Sequence, residues 1–254
     1  MSNRISEEFL RKKEPVRLNK YLSEAGVCSR READRLIESG RVTVDGERAQ
    51  TGMRIVPGQV VKVGRKVISK QDEMVVLAVN KPKGIVCTEE RRERKSIVRF
   101  LDYPVRVTYI GRLDKDSHGL LLMTNNGDII NRMMRAANRH EKEYKVTVDH
   151  EITPEFLEKM ASGVPILDTV TRPCEVRQIG KYTFSIILTQ GLNRQIRRMC
   201  SALGYEVRDL LRVRVMNIRL DGLKDGQYRK LTDEELEGLY ELIKDSPGEP
   251  GQYR

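Results

Sequence analysis

The chain has 254 residues, of which 39% are hydrophobic and 33% are charged, so it is long enough for one or two globular domains and is not a disordered chain. Lysine and arginine number 47 and aspartate and glutamate 37, and the net charge of +10 indicates a polyanionic partner such as a nucleic acid. No segment approaches the ~18 consecutive apolar residues that cross a bilayer, and the first residues lack the apolar core of a signal peptide. We therefore expect a cytoplasmic protein with no membrane partner.

The residue types that hold cofactors are scarce or unsuitably spaced. The three histidines form neither an HExxH nor an HxH group, and the cysteines are too dispersed for the CxxC pairs of a zinc site. The cysteines are Cys28, Cys87, Cys174 and Cys200. Neither GxxxxGK(S/T) nor GxGxxG occurs, so ATP-driven and dinucleotide chemistry are not expected. The sequence predicts no cofactor and no metal, with any catalysis carried by carboxylates and tyrosines.

Residues 16–68 are predicted to form a small αβ unit. Periodicity predicts two helices followed by three short strands, in the segments RLNKYLSEA, RREADRLIES, RVTVDG, VVKVG and KVI. Ser29 and Glu32 form a capping box at the start of the second helix. Glycines recur every six residues over Gly40–Gly64, as in a hexapeptide β-helix, but no apolar residue holds a fixed position between them. We interpret these glycines as turns of a small β region.

Each of the two helices has an apolar face and a basic face. In the second helix Ala33, Leu36 and Ile37 share one side, while arginines lie on the opposite side. The first helix follows the same scheme. The basic residues of these helices are candidates for contacts with nucleic-acid phosphates: Arg17, Lys20, Arg30, Arg31 and Arg35.

Residues 75–245 are predicted to form a second, larger unit. Its strand-like segments are VVLAVNKP, VTYI, GLLLMT, EKEYKVTVD, CEVRQI, YTFSIILT and EVRDLLRVRVMNIRL. Its helical segments are DIINRMMRAA, TPEFLEKMAS, NRQIRRMCSAL and DEELEGLYELIK. Strands that follow one another in sequence favour a large, mainly antiparallel sheet flanked by helices, so the chain is assigned to the α+β class. We expect a flexible N-terminus at 1–15, a linker at 69–74 and a disordered tail at 246–254.

One charged loop lies between two apolar strands of the second unit. In IGRLDKDSHGLLLMTN, Asp114 is flanked by Arg112 and Lys115. Nearby cations keep an aspartate ionised when it is partly desolvated, and an ionised, oriented aspartate can act as a nucleophile or base. The pattern also fits a solvated hairpin turn, or a metal site of Asp114 and Asp116, although a lone DxD is a weak metal motif.

Two further segments carry candidate functional residues. In LTQGLNRQIRRMC a helical stripe of core residues is opposed by Arg194, Arg197 and Arg198, which repel one another unless a phosphate or carboxylate lies against them. On charge alone, a solvated helix face explains them equally well. In HEKEYKVTVD strand alternation places Tyr144 on the inward face, where it is either a buried sheet tyrosine or a residue that stacks on a base.

Taken together, these segments resemble the pseudouridine synthases, from about residue 16 to about residue 245. The N-terminal unit resembles an S4 domain, a small RNA-binding module. Asn80-Lys81-Pro82 with Gly84 resembles the family's first catalytic-domain motif, GRLDKDSHGLL the second and GLNRQIR the third. Gly111 before Arg112, and an arginine at position 194 where another branch has histidine, resemble the branch that modifies ribosomal RNA and carries an S4 domain.

The resemblance implies roles for individual residues. Asp114 would be the catalytic nucleophile, Tyr144 the active-site tyrosine, and Arg197 the residue that pairs with the aspartate. Residues of the second and third motifs are further candidates for RNA binding: Arg112, Leu113, Lys115, Arg194, Gln195 and Ile196. Isomerisation of uridine involves no net redox change or hydrolysis, so the family needs no cofactor.

The implied substrate is a uridine of ribosomal RNA, in the 23S RNA of the large subunit or its assembly precursor, with 16S RNA or a tRNA left open. Nothing in the sequence indicates an obligate oligomer, so we expect a monomer. Two other interpretations are kept. One is an RNA-binding ribosome assembly factor without catalysis, and the other is a metal-dependent nuclease that uses Asp114 and Asp116.

Overall fold

The computed structural model describes residues 15–68, 74–90, 92–134 and 140–244. These residues divide into two units. The first contains the described residues up to Val75 together with Pro104–Val107, and the second contains Val76–Tyr103 and the described residues from Thr108 onward. Pro104–Val107 therefore departs from the continuous segment 75–245 expected for the second unit.

The first unit combines two helices with a small antiparallel sheet. Its elements in chain order are β1 (Val16–Arg17), α1 (Leu18–Glu24), α2 (Arg30–Glu38), β2 (Val42–Val44), β3 (Glu47–Arg48), β4 (Arg54–Ile55), β5 (Val61–Val63) and β6 (Lys66–Ile68). Strands β3-β2-β5-β6 form one sheet, and β1 pairs with β4. The glycines of Gly40–Gly64 all have positive φ and form turns as predicted. The strands of the four-stranded sheet pair antiparallel, which excludes a parallel β-helix.

The apolar faces of α1 and α2 close the core of this unit, as their periodicity predicts. Ser29 Oγ accepts a hydrogen bond from the amide of Glu32, which confirms it as the N-cap of α2. The core side chains come from both helices and from the sheet, among them Leu18, Leu22, Ala33, Ile37, Val42 and Val61. The arginines of α2 are left on the solvent side because they lie opposite this face.

The second unit is built on one large sheet. The strands of this unit are β7 (Val76–Lys81), β8 (Thr108–Ile110), β9 (His118–Thr124), β10 (Lys142–Val148), β11 (Pro165–Ile166), β12 (Thr169–Val170), β13 (Glu175–Gly180), β14 (Thr183–Leu188), β15 (Val207–Val215), β16 (Ile218–Arg219) and β17 (Tyr228–Lys230). β11 and β12 pair only with each other, and the other strands form the large sheet. The sheet order is β13-β14-β10-β15-β9-β7-β17, with β8 paired to β9 and β16 to β15. Every pair is antiparallel except β9 with β15, which confirms the predicted mainly antiparallel sheet.

Helices flank this sheet. They are α3 (Ile97–Leu101), α4 (Gly127–Met134), α5 (Pro154–Ser162), α6 (Gln195–Ala202) and α7 (Asp233–Ile243). α5 and α6 contribute to a core that includes Phe156, Met160, Ile196 and Met199 and strand residues such as Phe184. α7 begins with a capping box, in which Thr232 and Glu235 each bond the other's backbone amide.

Several elements differ from the expectations. The short helix α3, the hairpin of β11 and β12, and strand β17 were not predicted. The helix expected over DIINRMMRAA is described only as Gly127–Met134, because 135–139 lie outside the described residues. The predicted N-terminus and linker also lie outside them, apart from Pro15 and Met74, and so does the whole predicted tail. None of the described helices is long and apolar enough to cross a membrane.

Candidate active site

The loop between β8 and β9 presents Asp114 at the start of a buried strand. The amide of Ser117 donates to the carbonyl oxygen of Asp114 at 3.1 Å, and the amide of Gly84 donates to that of Lys115 at 2.8 Å. The side chain of Leu113 is buried, and its amide points at the Cys87 sulfur at 3.5 Å. The loop backbone is thus held on both sides of Asp114, whose side chain is 34% exposed. A fixed, accessible carboxylate at this position suits a catalytic role.

The cation beside Asp114 is Arg194. Its Nη1 lies 3.7 Å from Asp114 Oδ2, and its side chain is 41% exposed. Arg194 is the N-cap of α6 and has a left-handed backbone with φ of 49°. Because this conformation lies outside the helical spiral, helical periodicity does not predict where the side chain points. An ion pair this open to water contributes at most about 1 kcal/mol to stability, so its effect is to orient the carboxylate.

Arg197 does not pair with Asp114, contrary to the expectation from the resemblance. Its Nη2 donates to the carbonyl oxygen of Asp116 at 3.2 Å and to Ser117 Oγ at 3.4 Å, and its Nη1 donates to the carbonyl oxygen of Val207 at 3.3 Å. The guanidinium group therefore ties the loop to strand β15 and helix α6. Its position one turn into α6 directs it at the loop backbone, while Arg194 at the helix end lies beside the carboxylate.

Tyr144 lies in the middle of the sheet, on β10. It is opposite Ile186 of β14 and Arg212 of β15, it is half-buried, and it packs against the core formed with α5 and α6. Its inward orientation agrees with the strand alternation. Among the described residues, no hydrogen bond joins the Tyr144 hydroxyl to Asp114.

Two buried cations lie near the loop, and no role was predicted for either of them from the sequence. Lys81 is 0% exposed and its Nζ donates to the carbonyl oxygens of Pro82 and Ile85, both at 2.8 Å. Arg212 is 2% exposed; its Nε donates to the carbonyl oxygen of Leu120 at 2.7 Å, and its Nη2 is buried without a partner. Lys81 of β7 and Arg212 of β15 both pair with Gly119, the second residue of β9. They bring two positive charges to the base of the loop.

The charge of Lys81 lies close enough to the loop to feel its carboxylates. Burial lowers the pKa of Lys81, and the charge of Arg212 acts in the same direction, whereas the carboxylates of Asp114 and Asp116 raise it. These two cations could have been found from the sequence, because each is a charged residue at an inward position of a buried strand. Such groups are rarely buried without a specific role. For Lys81 the signal is its place at the end of the buried run VVLAVNK.

The remaining candidate RNA-binding residues of the second and third motifs differ in the exposure of their side chains. Arg112 and Lys115 are exposed and can reach RNA. The side chains of Leu113, Gln195 and Ile196 are buried, and the contact of these residues with RNA stays a prediction. The Gln195 amide is used internally, because its Oε1 accepts from the amide of Leu192 at 3.1 Å. Ile196 lies in the core between α6 and the sheet because it faces inward on the helix.

The candidates on the first unit form an exposed basic surface. Arg17, Arg30, Arg31 and Arg35 are exposed, whereas Lys20 is half-buried and pairs with Glu24 at 3.5 Å. We call Arg30, Arg31 and Arg35 the α2 arginines.

Over the described ranges, no group of three or more His, Cys, Asp or Glu residues could hold a metal ion.

Comparisons with protein families match both units. A family model described as RNA pseudouridylate synthase matches residues 75–202, and a model described as S4 domain matches residues 16–61. The first model covers half of the chain, and the two follow each other in the order of the two units.

Comparisons with individual proteins agree with the family models. The chain is 54% identical over 236 residues to the dual-specificity RNA pseudouridine synthase RluF of Escherichia coli (strain K12), covering 92% of this chain and 81% of that protein. It is 35% identical over 236 residues to the ribosomal large subunit pseudouridine synthase B of Bacillus subtilis (strain 168), covering 89% of this chain and 96% of that protein. A solved structure described as a pseudouridylate synthase has a TM-score of 0.65 and 29% identity, covering 88% of this chain and 99% of that one.

Proposed function

The chain belongs to the RNA pseudouridylate synthase family, and on this premise we propose that it isomerises a uridine of 23S ribosomal RNA with Asp114 as the catalytic nucleophile and without a cofactor. The observation that carries the proposal is the geometry of Asp114. Its carboxylate is accessible, its loop is held by hydrogen bonds on both sides, and the Arg194 guanidinium lies 3.7 Å away.

The reaction rearranges bonds within one nucleotide. The bond from N1 of uracil to C1′ of ribose breaks, the uracil turns, C5 becomes bonded to C1′, and the proton on C5 is released as N1 gains one. A carboxylate next to the sugar can assist this by attack at C1′ or by proton abstraction from the sugar. No oxidant, reductant or water is consumed.

The other residues bind and position the nucleotide in this proposal. Arg194 orients the carboxylate of Asp114, and Arg197 holds the loop by its three hydrogen bonds. Tyr144 stacks on the uracil, since an aromatic ring offers a flat surface to a base that has left its helix. Extracting that nucleotide from a stacked helix costs a few kcal/mol, which contacts to the neighbouring phosphates by Arg112 and Lys115 offset.

The choice of RNA rests on the relatives and on the first unit. The Bacillus subtilis relative is named as a large-subunit enzyme, and the Escherichia coli relative is named as having dual specificity for RNA. We therefore propose 23S RNA or its assembly precursor as the first substrate and a second RNA, such as a tRNA, as an additional one. The exposed arginines of α2 supply contacts to phosphates that do not depend on sequence.

The substitution Asp114→Asn tests the proposal. It keeps the size and shape of the side chain but replaces the nucleophilic carboxylate by a neutral amide, so we expect turnover to fall at least about a thousandfold while RNA binding changes less than threefold. Turnover is measured as tritium released from ribosomal RNA labelled at C5 of uridine, and binding by filter retention of the same RNA.

Asp116→Asn is the matched control because Asp116 lies in the same loop, is exposed and carries the same charge. It should keep turnover within about threefold. Cleavage of the RNA that is inhibited by a chelator and is lost equally in both variants would support the metal-dependent nuclease instead. Binding without tritium release in the wild-type chain would support the assembly factor.

A further inference from the structure

A basic cavity lies beside the candidate active site. It has a volume of about 500 Å³ and is formed by one side of α6 and the tip of the β11–β12 hairpin. Its lining consists of Ile166, Leu167, Arg194, Arg197, Arg198, Ser201 and Ala202. We call it the hairpin pocket. Its size is within the range of pockets that bind small organic ligands, and it can hold a single nucleotide.

The charge of the hairpin pocket is not neutralised by its lining, which contains three arginines and no carboxylate. Arg198 donates to the backbone and side-chain oxygens of Asn193, and Arg197 donates to oxygens that carry no charge. Arg197 Nε is buried without a partner. Within the described ranges, neither Arg197 nor Arg198 has a carboxylate partner. Uncompensated guanidinium groups that line a cavity favour an anionic ligand, and a phosphate above all.

The hairpin tip provides a second, independent observation. Leu167 and Asp168 form the turn, with φ of 49° and 58°. Two left-handed residues in a two-residue hairpin strongly favour Asn and Gly, because a side chain such as leucine is strained there. The Leu167 side chain is 45% exposed, so it gains little from packing within the chain. Such retained strain is typical of functional sites, and the exposed apolar side chain of Leu167 is accessible to a ligand.

We propose that the hairpin pocket binds the RNA nucleotide adjacent to the target uridine, with its phosphate on Arg198 and its base against Leu167. Arg194 determines which nucleotide of the RNA strand enters the pocket, because it both lines the pocket and lies beside Asp114. A nucleotide in the pocket is therefore next to a nucleotide at Asp114. The apolar contact accepts the face of any base, so the pocket holds the strand in place and does not read its sequence. This assignment rests on the proposed function only in its reference to the target uridine.

The test uses the full chain and a fluorescein-labelled uridine hexanucleotide with a 5′ phosphate, followed by fluorescence anisotropy. We expect Leu167→Asn to weaken binding about tenfold, because it removes the apolar contact with the base. Asn tolerates the left-handed conformation, so the same variant should be as stable as the wild type or more stable in thermal unfolding. A purely structural role for Leu167 does not give this combination.

Arg198→Gln should weaken hexanucleotide binding about tenfold and reduce the slope of log affinity against log salt by about 0.7. Arg177→Gln is the matched control, because Arg177 is an exposed arginine of β13 outside the pocket lining, and it should bind within twofold of the wild type. Hexaglutamate is the control ligand, and its weaker binding should not depend on Leu167.

Wild-type affinity in both Leu167→Asn and Arg198→Gln would overturn the proposal. No hexanucleotide binding by the wild-type chain, or hexaglutamate binding that depends equally on Leu167, would do the same. The tritium assay is separate from these measurements. A chain that releases no tritium but loses hexanucleotide affinity on substitution of Leu167 would contradict the proposed function and still support the pocket.

Discussion

Three cations in the strands of this sheet are largely withdrawn from water. Lys81 on β7 and Arg212 on β15 are buried, and Lys142 on β10 is half-buried. Burial lowers the pKa of Lys142 to about 8, and the nearby charge of Arg212 adds to the effect. Lys142 donates to the carbonyl oxygen of His140 at 3.2 Å, which offsets only part of the desolvation of the ammonium group.

Lys142 should therefore make stability increase with pH in the alkaline range. Between about pH 8 and 10.5 the unfolded chain holds the Lys142 proton that the native chain has released, so the free energy of unfolding rises with pH, by up to about 3 kcal/mol from this group. Lys142→Met should remove that rise, measured as denaturant unfolding at pH 7, 8, 9 and 10. Lys145→Met, at an exposed position of the same strand, is the control. Parallel pH profiles for wild type and Lys142→Met would contradict this assignment.

At the level of single residues the sequence was informative about position in the chain and less so about partners. The segment GRLDKDSHGLL placed Asp114 in a loop between two strands, and the structure has it there. The identity of the arginine beside it was predicted as Arg197, but the geometry has Arg194. The two lie within one helical turn of each other, and the left-handed backbone at Arg194 decides which of them reaches the carboxylate. That conformation depends on the path of the chain into α6.

Among the elements, the parallel pair of β9 and β15 joins the two parts of the sheet. Gly119 lies at the point of contact, opposite Arg212, with φ of 104°. A Cβ there would come within 2.4 Å of the Arg212 carbonyl oxygen and 2.8 Å of its amide nitrogen. Both atoms belong to the backbone, so neither can move away without disturbing the strand pair.

Gly119→Ala should consequently destabilise the chain by more than about 3 kcal/mol or prevent it from folding, because the clash is with backbone and the φ is unfavourable for alanine. Gly180→Ala is the control in the same sheet, since its added Cβ meets only the Thr183 side chain, at 3.5 Å. That variant should lose no more than about 1 kcal/mol. Stability is measured by chemical denaturation of soluble protein. A Gly119→Ala variant with wild-type stability would show that the two strands are not held this closely.

The elements that were predicted and those that were missed differ in the strength of their local signals. α2, α5 and α7 have N-cap residues and a clear apolar stripe, and each was found. α3 has only five residues, and the strands of the β11–β12 hairpin have two each. Such short segments show no full period, so their structure is set by packing against the rest of the second unit.

Over the whole molecule, arginines that contribute to the net charge of +10 are concentrated in two places. Arg194 lies beside the Asp114 carboxylate, and it lines the adjacent cavity together with Arg197 and Arg198. The α2 arginines are exposed on a separate unit, whose family match is the S4 domain. We expect the second group to supply affinity for RNA without affecting the chemical step.

Replacing all three α2 arginines by glutamine should reduce the slope of log affinity against log salt by about two to three units, since each phosphate that an arginine neutralises adds about 0.7 to 0.9 to the slope. Turnover at saturating RNA should stay within about twofold of the wild type, as measured by tritium release. Lys20→Gln is the control because Lys20 already pairs with Glu24, and its slope should change by less than one unit. An unchanged slope in the triple variant would assign RNA binding to another surface.

The sequence by itself determined the α+β class, the order of the two units, the position of the Asp114 loop and the family, because these depend on local periodicity and on motifs that are contiguous in the chain. Only the tertiary structure decided that Arg194 lies beside Asp114, that Leu113, Gln195 and Ile196 are buried, and that Lys81 and Arg212 meet at Gly119. The physical reason is that strand order and burial depend on which distant segments pair. Lys81 and Arg212 become neighbours of the same glycine only when β7, β9 and β15 assemble into one sheet.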